Sequence, residues 1–182
     1  MVAPRLHDRL FRAVRVAAVA AVAAGGPAMA ATQGNIGASS TGSTAVSARS
    51  GVFIWITGLD DLDFGTWNGS SSLTRDSLHC VGVNSVSRRF NVRAVGSGVG
   101  GAFTLSNGTT TLAYAAAYRS VGGANRALAP NVVQTAHVGA TLGACRSGSQ
   151  PIRLRLTISA GQFGNARDGV YTGTLTLTVA PE

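Results

Sequence analysis

The stretch Val170-Tyr-Thr-Gly-Thr-Leu-Thr-Leu-Thr-Val-Ala-Pro-Glu182 decides the fold class. Tyr171, Gly173, Leu175, Leu177 and Val179 fall on one side of an extended chain, and Thr172, Thr174, Thr176 and Thr178 on the other. Strand side chains alternate, so this is period two without an error. Threonine and valine suit a pleated, half-buried surface. Pro181 has no amide hydrogen to give to a ladder and is expected to end it. The pattern predicts a strand with one face on a core and the other in water.

Upstream segments read the same way. Val52–Ile56 is a continuous apolar run, expected as a strand buried on both sides. Gly58–Gly65 is rich in turn formers. Strands are expected over Ser77–Val83, Phe90–Val95, Ala102–Ser106, Thr111–Tyr118 and Val132–Val138. Asn107-Gly108 between two of them is a hairpin signal. In Ile152–Ser159, Ile152, Leu154, Leu156 and Ile158 alternate with Arg153, Arg155 and Thr157, which places the arginines outward. Beyond the N-terminal leader no apolar residues recur at helical spacing. Many short strands and Gly-rich turns predict an all-β sandwich. Aromatic residues make up only 6% of the chain, against the girdles of an outer-membrane barrel.

The first thirty residues have a different character. Arg5, Arg9, Arg12 and Arg15 precede the apolar run Val16–Ala24, and Ala28-Met-Ala30 follows. This is the layout of a secretory signal peptide, with an apolar run too short to span a bilayer. Residues 31–50 are small and polar, an extended, adaptable arm; residues 51–182 form the sandwich domain. The chain holds 15 basic residues, all arginine, and 7 acidic ones, a formal net charge of +8. Four arginines belong to the leader, and no helical recognition element or RNA-binding aromatic motif accompanies the rest, so nucleic acid is not the expected partner. Cys80 and Cys145 are the two cysteines, and in an exported protein they read as one disulfide.

Little in the sequence carries chemistry. Asp60-Asp61-Leu62-Asp63 has the hard ligands of a calcium loop but lacks the glycine and the later glutamate that complete one, and reads as a solvated turn. Gly96-x-Gly-x-Gly-Gly101 has no helix behind it to receive a phosphate. Asn68-Gly-Ser and Asn107-Gly-Thr match a glycosylation acceptor and are equally Asn-Gly turns. His79 and His137 have no nucleophile elbow to serve. The sequence therefore implies a non-enzyme without metal or cofactor.

Several stretches together resemble a known family. They are "STGSTAVSARSGVFIWITGLDDLDFGTWNG" (40–69), "HCVGVNS" (79–85), "RRFNVRAVGSG" (88–98), "GAFTLSNG" (101–108), "LAYAAAY" (112–118), Cys145, and "DGVYTGTLTLTVAPE" (168–182). In this order they closely resemble the spore coat protein U domain, a family that includes subunits of archaic chaperone–usher pili. The resemblance implies an all-β, immunoglobulin-like (pilin-type) sandwich lacking one strand, lent in the periplasm by a chaperone. At an outer-membrane usher the N-terminal arm of the next pilin subunit replaces it. It further implies that Tyr171, Leu175, Leu177 and Val179 line the groove for the partner strand, and that Ile36, Ala38, Val46 and Ala48 belong to a donor arm. The implied function is a structural subunit of a fimbria at the cell surface, serving adhesion or biofilm formation. The alternative is a self-contained secreted coat or envelope sandwich that binds a surface polymer or glycan.

Overall fold

The structure, a computed structural model, describes Thr32, Gln33 and residues 35–182. The leader expected over residues 1–30 lies outside the described residues. The chain divides into two units, Met1–Arg49 and Ser50–Glu182. In the first, Thr32 and Ser43 form an antiparallel bridge through N–H···O bonds of 2.9 and 3.0 Å.

The second unit is the sandwich. Its strands are β1 (Ile54–Thr57), β2 (Leu73–Val83), β3 (Arg89–Gly96), β4 (Thr104–Ser106), β5 (Thr111–Ala113), β6 (Ala115–Arg119), β7 (Arg126–Leu128), β8 (Val133–Val138), β9 (Ile152–Ile158) and β10 (Leu175–Pro181). A five-stranded sheet runs β1-β2-β9-β6-β7, a three-stranded sheet β10-β3-β8, and β4 and β5 form a hairpin, all antiparallel. Period-two patterning explains the layering. Ile152, Leu154, Leu156 and Ile158 of β9 point inward with Val81, Val83, Ala116 and Tyr118. They meet Phe90, Val92 and Ala94 of the facing sheet in one continuous core.

A five-residue helix, α1 (Leu142–Arg146), is capped by Thr141, whose hydroxyl accepts from the Ala144 N–H at 3.2 Å. It covers the outer face of β2. Cys145 is bonded there to Cys80 with Cα atoms 5.5 Å apart, so the expected disulfide is present. Gly82 makes the close packing possible: a Cβ there would lie 3.0 Å from Leu142 Cδ2 and 3.1 Å from Cys145 Sγ.

The structure corrects four expectations. The last strand begins at Leu175, not near Tyr171; Tyr171 and Gly173 lie in the approach to it, where Thr172 bridges Ser106. Pro181 does not stop the ladder but pairs with Phe90 inside it. The run around Trp55 is covered on one face only: Ile54 and Ile56 are half-buried against the core, whereas Phe53 and Trp55 are exposed. Thr111–Tyr118 is two strands broken at Tyr114, one in the β4–β5 hairpin and one in the large sheet.

Candidate functional site: an apolar cleft beside an open strand edge

A cleft of about 1010 Å³ runs between β10 and the extended segment Leu59–Trp67. Leu154, Leu156 and Ile158 of β9 form its floor, with Leu73, Leu112 and Tyr114 beside them. Leu175 and Leu177 form one wall, and Leu62 and Phe64 face them from the other. These four wall residues are only half-buried, although they pack on the core cluster. The core is closed beneath the cleft and uncovered along it.

The segment that forms the second wall is pinned rather than loose. Arg75 of β2 donates from Nε to the Asp63 carbonyl at 2.8 Å and from Nη2 to the Phe64 carbonyl at 3.3 Å. Asp63 Oδ1 accepts from the Gly65 N–H at 2.8 Å, an Asx turn. Trp67 donates to the Ser71 carbonyl and stacks on Phe163 with centroids 4.6 Å apart, 8° from parallel. Across the cleft, Tyr171 fixes the approach to β10. Its hydroxyl donates to the Arg167 carbonyl at 2.9 Å, accepts from the Arg167 N–H at 3.0 Å and meets Thr110 Oγ1 at 2.5 Å. This is the arrangement of a tyrosine corner. Gly173 passes so near that a Cβ would lie 2.8 Å from the Thr104 carbonyl oxygen.

The backbone of β10 follows a strict parity. The Glu182 N–H bonds the Arg89 carbonyl at 3.1 Å and the Thr174 N–H bonds Ser97 Oγ at 3.2 Å, both toward β3. The register between them is unbroken. Alternate residues of a strand direct their N–H and C=O to opposite sides. Thr176, Thr178 and Ala180 therefore bond β3, whereas Leu175, Leu177 and Val179 direct their backbone groups to the open edge. Pro181 shares that outward parity, so its missing N–H interrupts nothing toward β3.

Charge is unevenly placed. Of the six acidic residues in the sandwich unit, Asp60, Asp61, Asp63 and Asp168 line the cleft, with Arg167 the only arginine among the lining residues described. The aspartates are spread along a rim and do not converge on one point.

The groove residues expected from sequence are thus distributed as follows. Leu175 and Leu177 line the cleft on β10, Tyr171 lines it from the loop before, and Val179 is half-buried on the same strand face but outside the lining. Ile36, Ala38, Val46 and Ala48 are exposed. Sequence reasoning missed the second wall and Phe163. The signal was the alternation of Leu62 and Phe64, masked by the surrounding aspartates. His79 and His137, fully buried, are held neutral in the core. His79 Nε2 meets the Tyr118 hydroxyl at 2.8 Å and His137 Nε2 meets Gln134 Oε1 at 2.9 Å. Burial pushes both imidazoles down to about 4.

Fold and cleft together define an antiparallel β-sandwich with a long, regular edge strand beside a cleft that opens onto its core. Neither a protein-family model nor a curated protein matches the sequence. Among solved structures, the chain is similar to one described as a chaperone–tip adhesin complex vital for activating the biogenesis of CFA/I fimbriae. The identity is 19% and the TM-score 0.50, over 72% of this chain and 41% of that one. The chain thus spans under half the length of that neighbour, and at this identity the likeness is one of fold.

Proposed function

We propose that this protein is an exported, non-enzymatic structural subunit of an archaic chaperone–usher fimbria, serving surface adhesion or biofilm formation. In this reading residues 1–30 direct export, residues 31–50 are a donor arm, and residues 51–182 form the spore coat U-type domain. The cleft receives one extended strand. A periplasmic chaperone supplies it in transit, and the arm of a neighbouring subunit replaces it at the usher. Strand addition of this kind draws affinity from main-chain bonds and specificity from alternate side-chain pockets.

One observation carries the reading: β10 is a long, regular edge that neither shortening nor a bulge blunts. Natural sheets blunt their edges with short strands or bulges. Here β1 has 4 residues and β7 has 3. The edge strand β8 is bulged against β3 between Phe90 and Val92, with Ala136 at φ 63°. By contrast β10 runs 7 residues in unbroken register beside an apolar cleft. The acidic rim favours a strand carrying positive charge, and Arg49 supplies it at the end of the arm.

Amide hydrogen exchange on the purified chain, with and without a peptide covering residues 35–50, tests this. Thr176, Thr178 and Ala180 are expected to be protected in both states. Leu175, Leu177 and Val179 are expected to exchange freely alone and to slow on complex formation. Protection of those three amides in the chain alone would show an edge already covered, and the reading would fall.

A further inference from the structure

The opposite face of the five-stranded sheet, turned away from the cleft, carries a second feature. Strand register places Leu78, Arg153 and Arg119 in one cross-strand row and Asp76, Arg155 and Ala117 in the next. Neighbouring strands lie about 4.8 Å apart and alternate residues about 6.6 Å apart, so three guanidinium groups share a patch on the order of 10 Å across. Asp76 is committed to Arg155, accepting from its Nε at 2.7 Å and its Nη2 at 2.8 Å. It lies 3.6 Å from Arg153 Nη1. Arg153 Nη2 donates to Asn125 Oδ1 at 3.2 Å, while its Nε has no partner. The Arg119 guanidinium makes no hydrogen bond or ion pair among the described residues.

Arg119 stands directly opposite Arg153. Like charges in register across a strand pair are unfavourable, and one aspartate does not neutralise three arginines. Within the fold Arg119 adds only a distant attraction to Asp76, and it faces another arginine directly. An external anion accounts for the arrangement. We propose that this arginine cluster binds a carboxylated or sulfated polysaccharide.

The chemistry selects that class. Guanidinium groups engage carboxylate and sulfate oxygens through paired N–H donors. The adjoining row supplies Thr74 and Thr157, their hydroxyls 3.1 Å apart, as partners for sugar hydroxyls. Ala117 and Ala115 keep the neighbouring surface low enough for a polymer to lie across it. The patch has no aromatic ring on which a nucleobase would stack. Leu78 is its only large apolar side chain, too little to enter a bilayer. The site is independent of whether the cleft is filled, because the two lie on opposite faces of the sheet.

The test uses the full chain against immobilised dextran sulfate and polygalacturonate. Neutral dextran, vesicles containing phosphatidylglycerol and duplex DNA are measured in parallel. Salt-sensitive binding to at least one of the two charged polysaccharides is expected, and none to neutral dextran. Arg119→Gln is expected to weaken that binding about 5-fold and Arg119→Gln with Arg153→Gln at least 10-fold. Arg93→Gln, an equal charge loss on the other sheet, is expected to leave it unchanged. The Arg119 guanidinium makes no hydrogen bond or ion pair to lose, and relief of its repulsion from Arg153 offsets the lost attraction to Asp76, so the single variant should melt no lower than the parent and decides the matter if the double variant misfolds. The proposal is overturned by an equal loss in Arg93→Gln, by no binding to either charged polysaccharide, by comparable binding to neutral dextran, or by tighter binding to vesicles or DNA.

Discussion

Replacing Leu177 by alanine separates two jobs done by one side chain. Leu177 packs on the core from β10 and also forms a wall of the cleft. Truncating a fully buried leucine costs about 2–5 kcal/mol. Leu177 is only half-buried, so the empty subunit should lose about 2 kcal/mol, at the low end of that range. The surface still wet is covered only when a strand enters, and covering that remainder is worth at most about 1 kcal/mol. Leu177→Ala should therefore lower the unfolding free energy and, separately, weaken an arm peptide about 5-fold. Adding Leu175→Ala doubles the second term to about 2 kcal/mol, or about 30-fold. Urea unfolding gives the first quantity and calorimetric titration of the residue 35–50 peptide the second. A variant that loses stability yet binds the peptide as tightly as the parent would refute the placement of the incoming strand against β10.

Three further outcomes are expected. Replacing Cys80 and Cys145 by alanine removes a link between positions 65 apart and should cost about 4 kcal/mol, read as a lower urea midpoint. Arg75→Met removes both bonds to the Asp63 and Phe64 carbonyls; a loss of about 1–2 kcal/mol is expected. Faster amide exchange over residues 63–67 should accompany it. The third outcome concerns pH. Burial holds His79 and His137 near 4 against an ordinary 6.5, aided at His137 by Arg126 and opposed by Glu182. The unfolded chain takes up protons before the folded one does, so stability should fall as pH drops from about 6.5 towards about 4, then level off for these groups. The loss is up to about 3 kcal/mol per imidazole, and equal urea midpoints at about pH 7 and about pH 4.5 would contradict it.

The fold class was legible because period-two patterning is local. Ile152–Ile158 declares its inward and outward faces residue by residue, and the structure buries them that way. What failed were features set by neighbours in space. Val52–Ile56 is apolar throughout, yet whether both faces are covered depends on what packs over each face of the sheet, which composition does not encode. Thr111–Tyr118 alternates without a break, but residue 114 is where the chain passes from one sheet to another. The short helix at Leu142–Arg146 is too brief to show a helical period, and its Thr141 cap and disulfide are what hold it. Of the cleft, β10 was readable from its alternation. The facing wall was not, because Leu62 and Phe64 sit among three aspartates and the segment is held by Arg75, distant in sequence, through the Asp63 and Phe64 carbonyls.

The acidic rim has a physical role even when the cleft is empty. A long, regular edge beside uncovered leucines is a template for unwanted pairing between copies. Charge on an edge is one of the ways sheets resist this, but charges on β10 itself would obstruct the partner strand. Its inward residues are Leu175, Leu177 and Val179 and its other face is threonine, so the strand carries no charge before Glu182. The aspartates stand instead on the opposite wall and at the approach to β10, where they repel a second empty cleft without occupying the path of an incoming strand. A strand bearing an arginine turns that repulsion into attraction. If a strand enters as proposed, edge protection and partner selection come from the same four carboxylates, which accounts for the placement of most of the unit's acidic residues on the border of this cleft.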